Sequence, residues 1–334
     1  MSAEQMRDMV AGLGEQLSWA ANLDVDVVPP RDEALVCGMG GSGIGGDFAS
    51  VLAEVEGRRV AVHKSYRLPG WASRVRPLVV AVSYSGNTEE TLSAVESAID
   101  HGLDVVAVTS GGALGVIARE RGFPLVSVPG GLQPRAAFGY LLGSILRILS
   151  ASGVVADPRD ALAEASALAS SLAGPGGTAE GLARDLAERL DGRIVAVYGS
   201  VGITAPVAQR WKTQINENAK WPSWWAVLPE LDHNEIVGWS ARPDLGRRVG
   251  IVTLRDRDEM EAVSARFRLT EEVTASQVEW VGEVYAQGET PLARMISLVA
   301  VGDLVSLELA ALAGVDPVPV DVIEDLKRRL EQET

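Results

Sequence analysis

Ala34-Leu35-Val36-Cys37-Gly38-Met39-Gly40-Gly41-Ser42-Gly43-Ile44 is an apolar run that breaks into glycines and opens a predicted helix. Read as strand, loop and helix, it sets unpaired backbone N–H groups and the positive end of a helix dipole where glycines let an anion approach the main chain. The spacing Gly38-x-Gly40-x-x-Gly43 also satisfies a dinucleotide-binding pattern, which needs an acidic residue about 20 positions on to hold a ribose. The next predicted strand ends Val60-Ala61-Val62-His63-Lys64-Ser65-Tyr66, and no carboxylate occurs from Arg58 to Ser73. A nicotinamide oxidoreductase is left resting on glycine spacing alone.

A second loop gives the first another meaning. Ser83-Tyr84-Ser85-Gly86-Asn87-Thr88 follows the apolar run Leu78–Val82 and precedes a helical pattern from Thr88 to Asp100. Three hydroxyls, on Ser83, Ser85 and Thr88, thus gather with backbone amides at another helix N-terminus, a combination that holds a phosphate dianion without lysine or metal. Thr88 alone also fits an ordinary N-cap. Capping explains one hydroxyl and leaves Ser83, Ser85 and the glycine loop without a purpose, so phosphate binding is the expectation, with Gly41 and Ser42 contributing from the first loop.

Working outward, further apolar runs at 60–63, 104–110 and 124–128 alternate with amphipathic stretches such as 114–121, the pattern of a parallel sheet with crossover helices. A helix is expected from about Ala136 to Ala151, then an Ala/Ser- and Gly-rich stretch over 167–181 reading as helix, linker, helix. A second series follows, with strands at 193–200, 249–256 and 275–281 and a long apolar helix over 291–313. Shifting 34–44 by 159 positions lays it on 193–203, with Gly43 on Gly202 and Ile44 on Ile203. This is a weak internal repeat of strand-loop-helix units. The second copy loses the phosphate equipment: Val201 stands at the place of Ser42. The expected division is an N-terminal, phosphate-binding domain over 1–152, a helical linker over 153–192, and a C-terminal domain over 193–334 that ends in a helix.

The 334 residues carry Lys+Arg 30 against Asp+Glu 45, a formal charge of −15, which argues against a general nucleic-acid binder. One cysteine, Cys37, allows no intramolecular disulfide and no cysteine-based zinc site. Three histidines, His63, His101 and His233, make a His-rich metal centre a poor expectation; His101, before Gly102, fits a helix end. The N-terminal stretch mixes charges with apolar residues at helical spacing, unlike a signal peptide, and no run of about 18 uncharged apolar residues points to a membrane span. A soluble, cytoplasmic protein is expected. Trp211, Trp221, Trp224 and Trp225 fall within 15 residues, read as core and interface ahead of a sugar-stacking wall.

Glycine loop and Ser-x-Ser-Gly loop in consecutive strand-loop-helix units resemble the sugar isomerase (SIS) domain. Further matches at 134–141, 209–225, 229–239 and 322–330 make the chain, from about residue 34 to 330, similar to the bifunctional phosphoglucose/phosphomannose isomerase family. The resemblance implies two doubly wound α/β parallel-sheet SIS domains, each a three-layer αβα sandwich, with a C-terminal helix. It implies aldose–ketose isomerisation of glucose 6-phosphate and mannose 6-phosphate to fructose 6-phosphate through a cis-enediolate, with no metal or redox cofactor. Glu217 matches the family's catalytic base; alone, its spacing to Lys220 fits a solvated helical ion pair. Arg135 matches an enediolate-stabilising arginine, and a cation near a helix N-terminus is poorly motivated as a stabilising device. His233 matches a histidine that reaches the other subunit's site and assists ring opening, which implies a homodimer; a lone histidine is otherwise more often structural. Lys327 matches a lysine that works with that histidine, although Lys327-Arg328-Arg329 also reads as a solvated face. Against the family pattern, the segment before Lys327 reads Val315-Asp316-Pro317-Val318-Pro319-Val320-Asp321 without a threonine, which bears on the mannose substrate. The alternative is a phosphosugar-binding SIS regulator without catalysis, for which degraded acid/base positions would be expected; here all four are present.

Overall fold

Strands in this chain are legible because side chains alternate across a sheet with period two, and here both faces are covered. In the first strand Ala34 and Val36 enter one core while Leu35 and Cys37 enter another. The computed structural model describes residues 2–25, 28–240, 242–330 and 332–333; Met1 and Thr334, the outer ends of the expected domains, lie outside the described residues. Its first sheet contains β1 (Glu33–Cys37), β2 (Arg59–His63), β3 (Leu78–Val82), β4 (Val105–Thr109) and β5 (Leu125–Ser127) in the order β2-β1-β3-β4-β5. The second contains β6 (Ile194–Ser200), β7 (Ser223–Leu228), β8 (Val249–Arg255) and β9 (Trp280–Tyr285) in the order β7-β6-β8-β9. Every pairing is parallel. The second order repeats the first without its fifth strand, so the weak sequence repeat marks two copies of one doubly wound plan.

Two strands depart from expectation. β7 was not anticipated: five of its six residues are half-buried and two are tryptophans, so it lacks the fully apolar run that announces the central strands. It is an edge strand, and its aromatics read as packing residues. β9 starts at Trp280 rather than at Ala275, because Gln277 and Val278 both donate backbone N–H groups to Thr274 O and so close the end of the preceding helix, Glu261–Thr274.

One hydrophobic core runs between the two sheets and contains residues of both halves, from Val36 and Val80 to Val197 and Val252. The helices filling it include Gly40–Val55, Phe138–Ala151, Thr204–Asn218 and Pro291–Ala313, while Arg159–Ala173 and Glu180–Leu190 pack against Pro291–Ala313. Every residue from Leu292 to Leu307 is buried. By length and composition Pro291–Ala313 could cross a membrane, yet most of it is enclosed by protein, and it carries Asp303 in a buried ion pair with Arg210.

This central helix meets Thr204–Asn218 at Gly302, where an added Cβ would lie 2.2 Å from Trp211 Nε1. Trp211 is fully buried and donates that N–H to Leu298 O at 2.8 Å. Neither the indole nor the helix backbone can retreat. Gly302→Ala is therefore expected to lower stability by about 1–3 kcal/mol through overpacking, read as a lower midpoint in urea unfolding.

Candidate active site

Strand ends position the first part of the site. β1 and β3 are neighbours, so the loops that follow them emerge side by side at the C-terminal edge of the first sheet, the usual ligand edge of a doubly wound sheet. Ser42 Oγ accepts the Tyr84 N–H at 3.1 Å and ties the loops together. Ser83, fully buried, accepts the N–H groups of Gly86 at 3.1 Å and Thr88 at 3.4 Å, and its hydroxyl lies 2.9 Å from that of Thr88. Ser85 is exposed and accepts the Asn87 N–H at 3.3 Å. Thr88 occupies the N-cap position of Glu89–Asp100 without capping it through its side chain, and no side chain caps Gly40–Val55 either. Both helices thus keep first turns uncapped by side chains, although the Ser42 N–H already donates to Met39 O, and the N–H groups left over at such a terminus suit an anion. Gly86 adopts φ +73°, and a Cβ there would lie 1.9 Å from Gly111 O; the loop can close only around glycine.

Gly41 connects these loops to the next component. A Cβ on Gly41 would lie 3.0 Å from both N and Cα of Arg135, so the glycine loop rests directly on the arginine's backbone. Arg135 occupies the 3-10 turn Pro134–Ala136 that leads into Phe138–Ala151, and it is buried. Its Nε donates to Asn218 Oδ1 at 2.7 Å, and its Nη2 donates to the carbonyls of Pro317 at 2.6 Å and Val318 at 3.1 Å. Nη1 stands 3.6 Å from Glu217 Oε2. Burial pulls the Arg135 pKa below its ordinary value, and the Glu217 carboxylate opposes the shift. Glu217 lies in the last turn of Thr204–Asn218 and lines a cavity of about 500 Å³ together with Lys220, Trp221, Pro222 and residues 319–323.

The ion pair allowed for Glu217 takes a different form. Lys220, at φ +56°, donates to the backbone carbonyl of Glu217 at 2.6 Å and to that of Pro317 at 3.2 Å, leaving the Glu217 carboxylate to Arg135. Burial is the largest influence on Lys220 and lowers its pKa, assisted by Arg135 and opposed by Asp316, Glu217 and Asp321. The tryptophans divide their roles: Trp211 is core, Trp221 borders the cavity, and Trp224 stacks on Trp239 at 6.0 Å while donating to Glu235 Oε1 at 2.8 Å.

His233 and Lys327 stand apart from this assembly. His233 is exposed in the 3-10 turn Glu230–His233 just beyond β7. Its neighbours are fastened: Asp232 accepts from Arg266 at 2.8 Å and Thr270 at 2.7 Å, and Glu235 accepts from Tyr198 at 2.5 Å as well as from Trp224. Burial, then Glu235, raises the Tyr198 pKa. Glu217 ends the helix that leads into the start of β7, whereas His233 follows the far end of that strand, which is about 20 Å long at about 3.3 Å per residue. Lys327 lies on Asp321–Leu330, a helix with no buried residue, whose Val322, Leu326 and Leu330 form an exposed stripe at spacing four. Asp325 pairs with Arg328 and Arg329, each at 2.7 Å. The partners holding Arg135 went unread in the sequence: Asn218 adjoins Glu217, and the carbonyls of 317 and 318 carry no side-chain signature. Among the described residues no three His, Cys, Asp or Glu side chains converge where they could hold a metal ion.

Two parallel α/β units, one with a paired hydroxyl-and-amide loop set, define a tandem SIS-type protein. The solved C-terminal domain of glucosamine-fructose-6-phosphate aminotransferase from Francisella tularensis shares this fold, with a TM-score of 0.72 at 14% identity over 93% of this chain and 97% of that one. The family model described as bacterial phospho-glucose isomerase C-terminal SIS domain matches residues 179–330. A bifunctional phosphoglucose/phosphomannose isomerase of Caldicellulosiruptor bescii is 37% identical over 98% of this chain and 99% of its own. Another, of Aquifex aeolicus, is 38% identical with the same coverage. The chain belongs to the bifunctional phosphoglucose/phosphomannose isomerase family.

Removing the Ser83 hydroxyl would strip the Gly86 and Thr88 amides of their acceptor. Ser83→Ala is expected to weaken inorganic phosphate binding by roughly tenfold, about 1.4 kcal/mol, in calorimetric titration. Val201→Ala, at the equivalent of Ser42 in the second half, is expected to leave it unchanged.

Proposed function

We propose that the protein is an aldose–ketose isomerase that interconverts glucose 6-phosphate or mannose 6-phosphate with fructose 6-phosphate. The observation carrying this reading is the approach of Arg135 Nη1 to Glu217 Oε2 at 3.6 Å, on a backbone seated against the glycine loop. A carboxylate and a fixed cation then face the carbons of a sugar whose phosphate is held by Gly41, Ser42, Ser83, Ser85 and Thr88.

The residues would act in a defined order. His233 and Lys327 move the protons that open the ring. Glu217 takes the C2 proton of the aldose, and the C2–H electrons become the C1–C2 double bond while negative charge develops on O1. Arg135 stabilises that oxyanion as a permanent charge in a water-poor setting. A proton passes from O2 to O1, and Glu217 returns its proton to C1 as the C2 carbonyl forms. The mannose substrate differs at C2 and must present its proton to the same base. A soluble, cytoplasmic enzyme is part of this reading, as is a division into domains at 1–152, 153–192 and 193–334.

His233 requires a second subunit in this account. The length of β7 between the two positions, the exposed ring on a fastened turn, and the exposed apolar stripe of Val322 and Leu326 beside Lys327 all support a homodimer in which His233 crosses the interface. A cation at Lys327 borders that stripe, so its burial against a partner would bring Lys327 to the rim of a site.

Glu217→Gln is expected to lower kcat by roughly 10²–10⁴-fold, the range for loss of a general base, in a coupled assay of fructose 6-phosphate conversion with a chelator present; the wild type retains its rate under the same conditions. Refolding a mixture of Glu217→Gln and His233→Ala chains is expected to restore roughly a quarter of wild-type activity, since half the dimers are mixed and each mixed dimer holds one intact site. Equal inactivity of the mixture and the separate variants would place His233 in its own subunit's site; wild-type activity of His233→Ala alone would place it outside catalysis.

A further inference from the structure

Buried arginines are treated alike in this protein, with one exception. Arg147 meets Asp157 at 2.9 Å, Arg210 meets Asp303 at 2.6 Å, and Arg294 meets Asp258 at 2.9 Å. Arg255 is clasped by both Glu259 and Glu283. Each of these four has a carboxylate in direct contact, the ordinary way to bring a guanidinium out of water. Arg135 is equally buried, and its hydrogen-bond partners among the described residues are all neutral: the Asn218 and Gln133 amide oxygens and the Pro317 and Val318 carbonyls. Its one nearby carboxylate among the described residues, Glu217, stays at 3.6 Å.

We infer that Asn218 is a positioning residue for the isomerisation, which fixes the Arg135 guanidinium through a neutral acceptor and so leaves its positive charge available to the substrate. The inference rests on the isomerase reading above. Asn218 is itself fixed. Its Nδ2 donates to Ser306 Oγ at 2.9 Å, and Ser306 Oγ donates to Asp303 O at 2.6 Å. Behind it, Arg210 donates to the Arg135 carbonyl at 3.1 Å while Asp303 neutralises Arg210, which also stacks over the Phe138 ring at 4.2 Å. Two adjacent buried arginines are thereby put to different uses. Arg210 is neutralised and braces the backbone; Arg135 is braced and kept charged. The amide is what separates these outcomes, because a carboxylate at position 218 would fill the same space and turn the clamp into a salt bridge. Ser306 can accommodate that change by rotating its hydroxyl to donate.

The test compares two ligands that differ in charge at the reacting end. A hexitol 6-phosphate offers only hydroxyls there; a sugar-acid phosphate carries a carboxylate that imitates the enediolate. For Asn218→Asp, calorimetric titration of the full-length protein is expected to show the sugar-acid phosphate binding at least tenfold more weakly, about 1.4 kcal/mol, with hexitol 6-phosphate unchanged. Turnover is expected to lose at least tenfold in kcat, by the same constant, with KM nearly constant. Asn218→Ala, checked for an unchanged melting temperature, guards against misfolding of the aspartate variant: it loosens the clamp without quenching the charge, so its loss is smaller and still confined to the anionic ligand. Equal losses for both ligands, or wild-type affinity for both in Asn218→Asp, would overturn the role. A wild type that binds neither phosphate would instead overturn the isomerase reading, and the inference with it.

Discussion

Arg135 is the point on which the two halves of the molecule are joined. Its backbone carries the glycine loop at Gly41, its carbonyl receives Arg210, and its guanidinium reaches Asn218 and the 317–318 carbonyls of the second half. A buried guanidinium has five N–H donors that must be satisfied in a fixed plane. Meeting that demand dictates where the end of Thr204–Asn218 and the connection to the last helix can lie. Glu217 is placed as a consequence, one residue before the amide that holds Arg135.

The two halves repeat one strand order, and only the first carries the paired glycine and hydroxyl loops. After β3 the chain offers hydroxyls and amides; β8, the corresponding strand, ends in Arg255, which stacks over Phe267 and Tyr285 and is held by Glu259 and Glu283. The second position is closed by the protein's own charges. This also bears on the acidic composition. A dianion approaching a chain of formal charge −15 needs a site shielded from that field, and uncapped helix N-termini provide one without surface lysines.

The parts legible in the sequence are those whose physics is local. Central strands such as Leu78–Val82 announced themselves as apolar runs, the Pro291–Ala313 helix by its length and spacing, and the adjoining glycine and hydroxyl loops by residues within a few positions of a strand end. β7 escaped because an edge strand of half-buried aromatics has no such pattern. Arg135 and Glu217 were reached through family resemblance, since nothing near either residue tells of the other across the fold. The clamp around Arg135 was invisible for a stronger reason: two of its four acceptors are main-chain carbonyls, which every residue possesses. Thr88 shows the converse. Its position predicted an N-cap, and the position is right, but its hydroxyl turns to Ser83 because the buried serine organises the loop.

The central claim is that one carboxylate, Glu217, moves a proton between adjacent carbons beside a charged arginine. Converting fructose 6-phosphate in deuterium oxide and examining the aldose product by NMR tests it most directly. Proton transfer through an enediolate by one shielded base predicts that C2 receives either the hydrogen carried over from C1 or deuterium exchanged onto the base, and that both are lost along with turnover in Glu217→Gln. Turnover, or exchange at C2, that persists at the wild-type rate without the Glu217 carboxylate would contradict it.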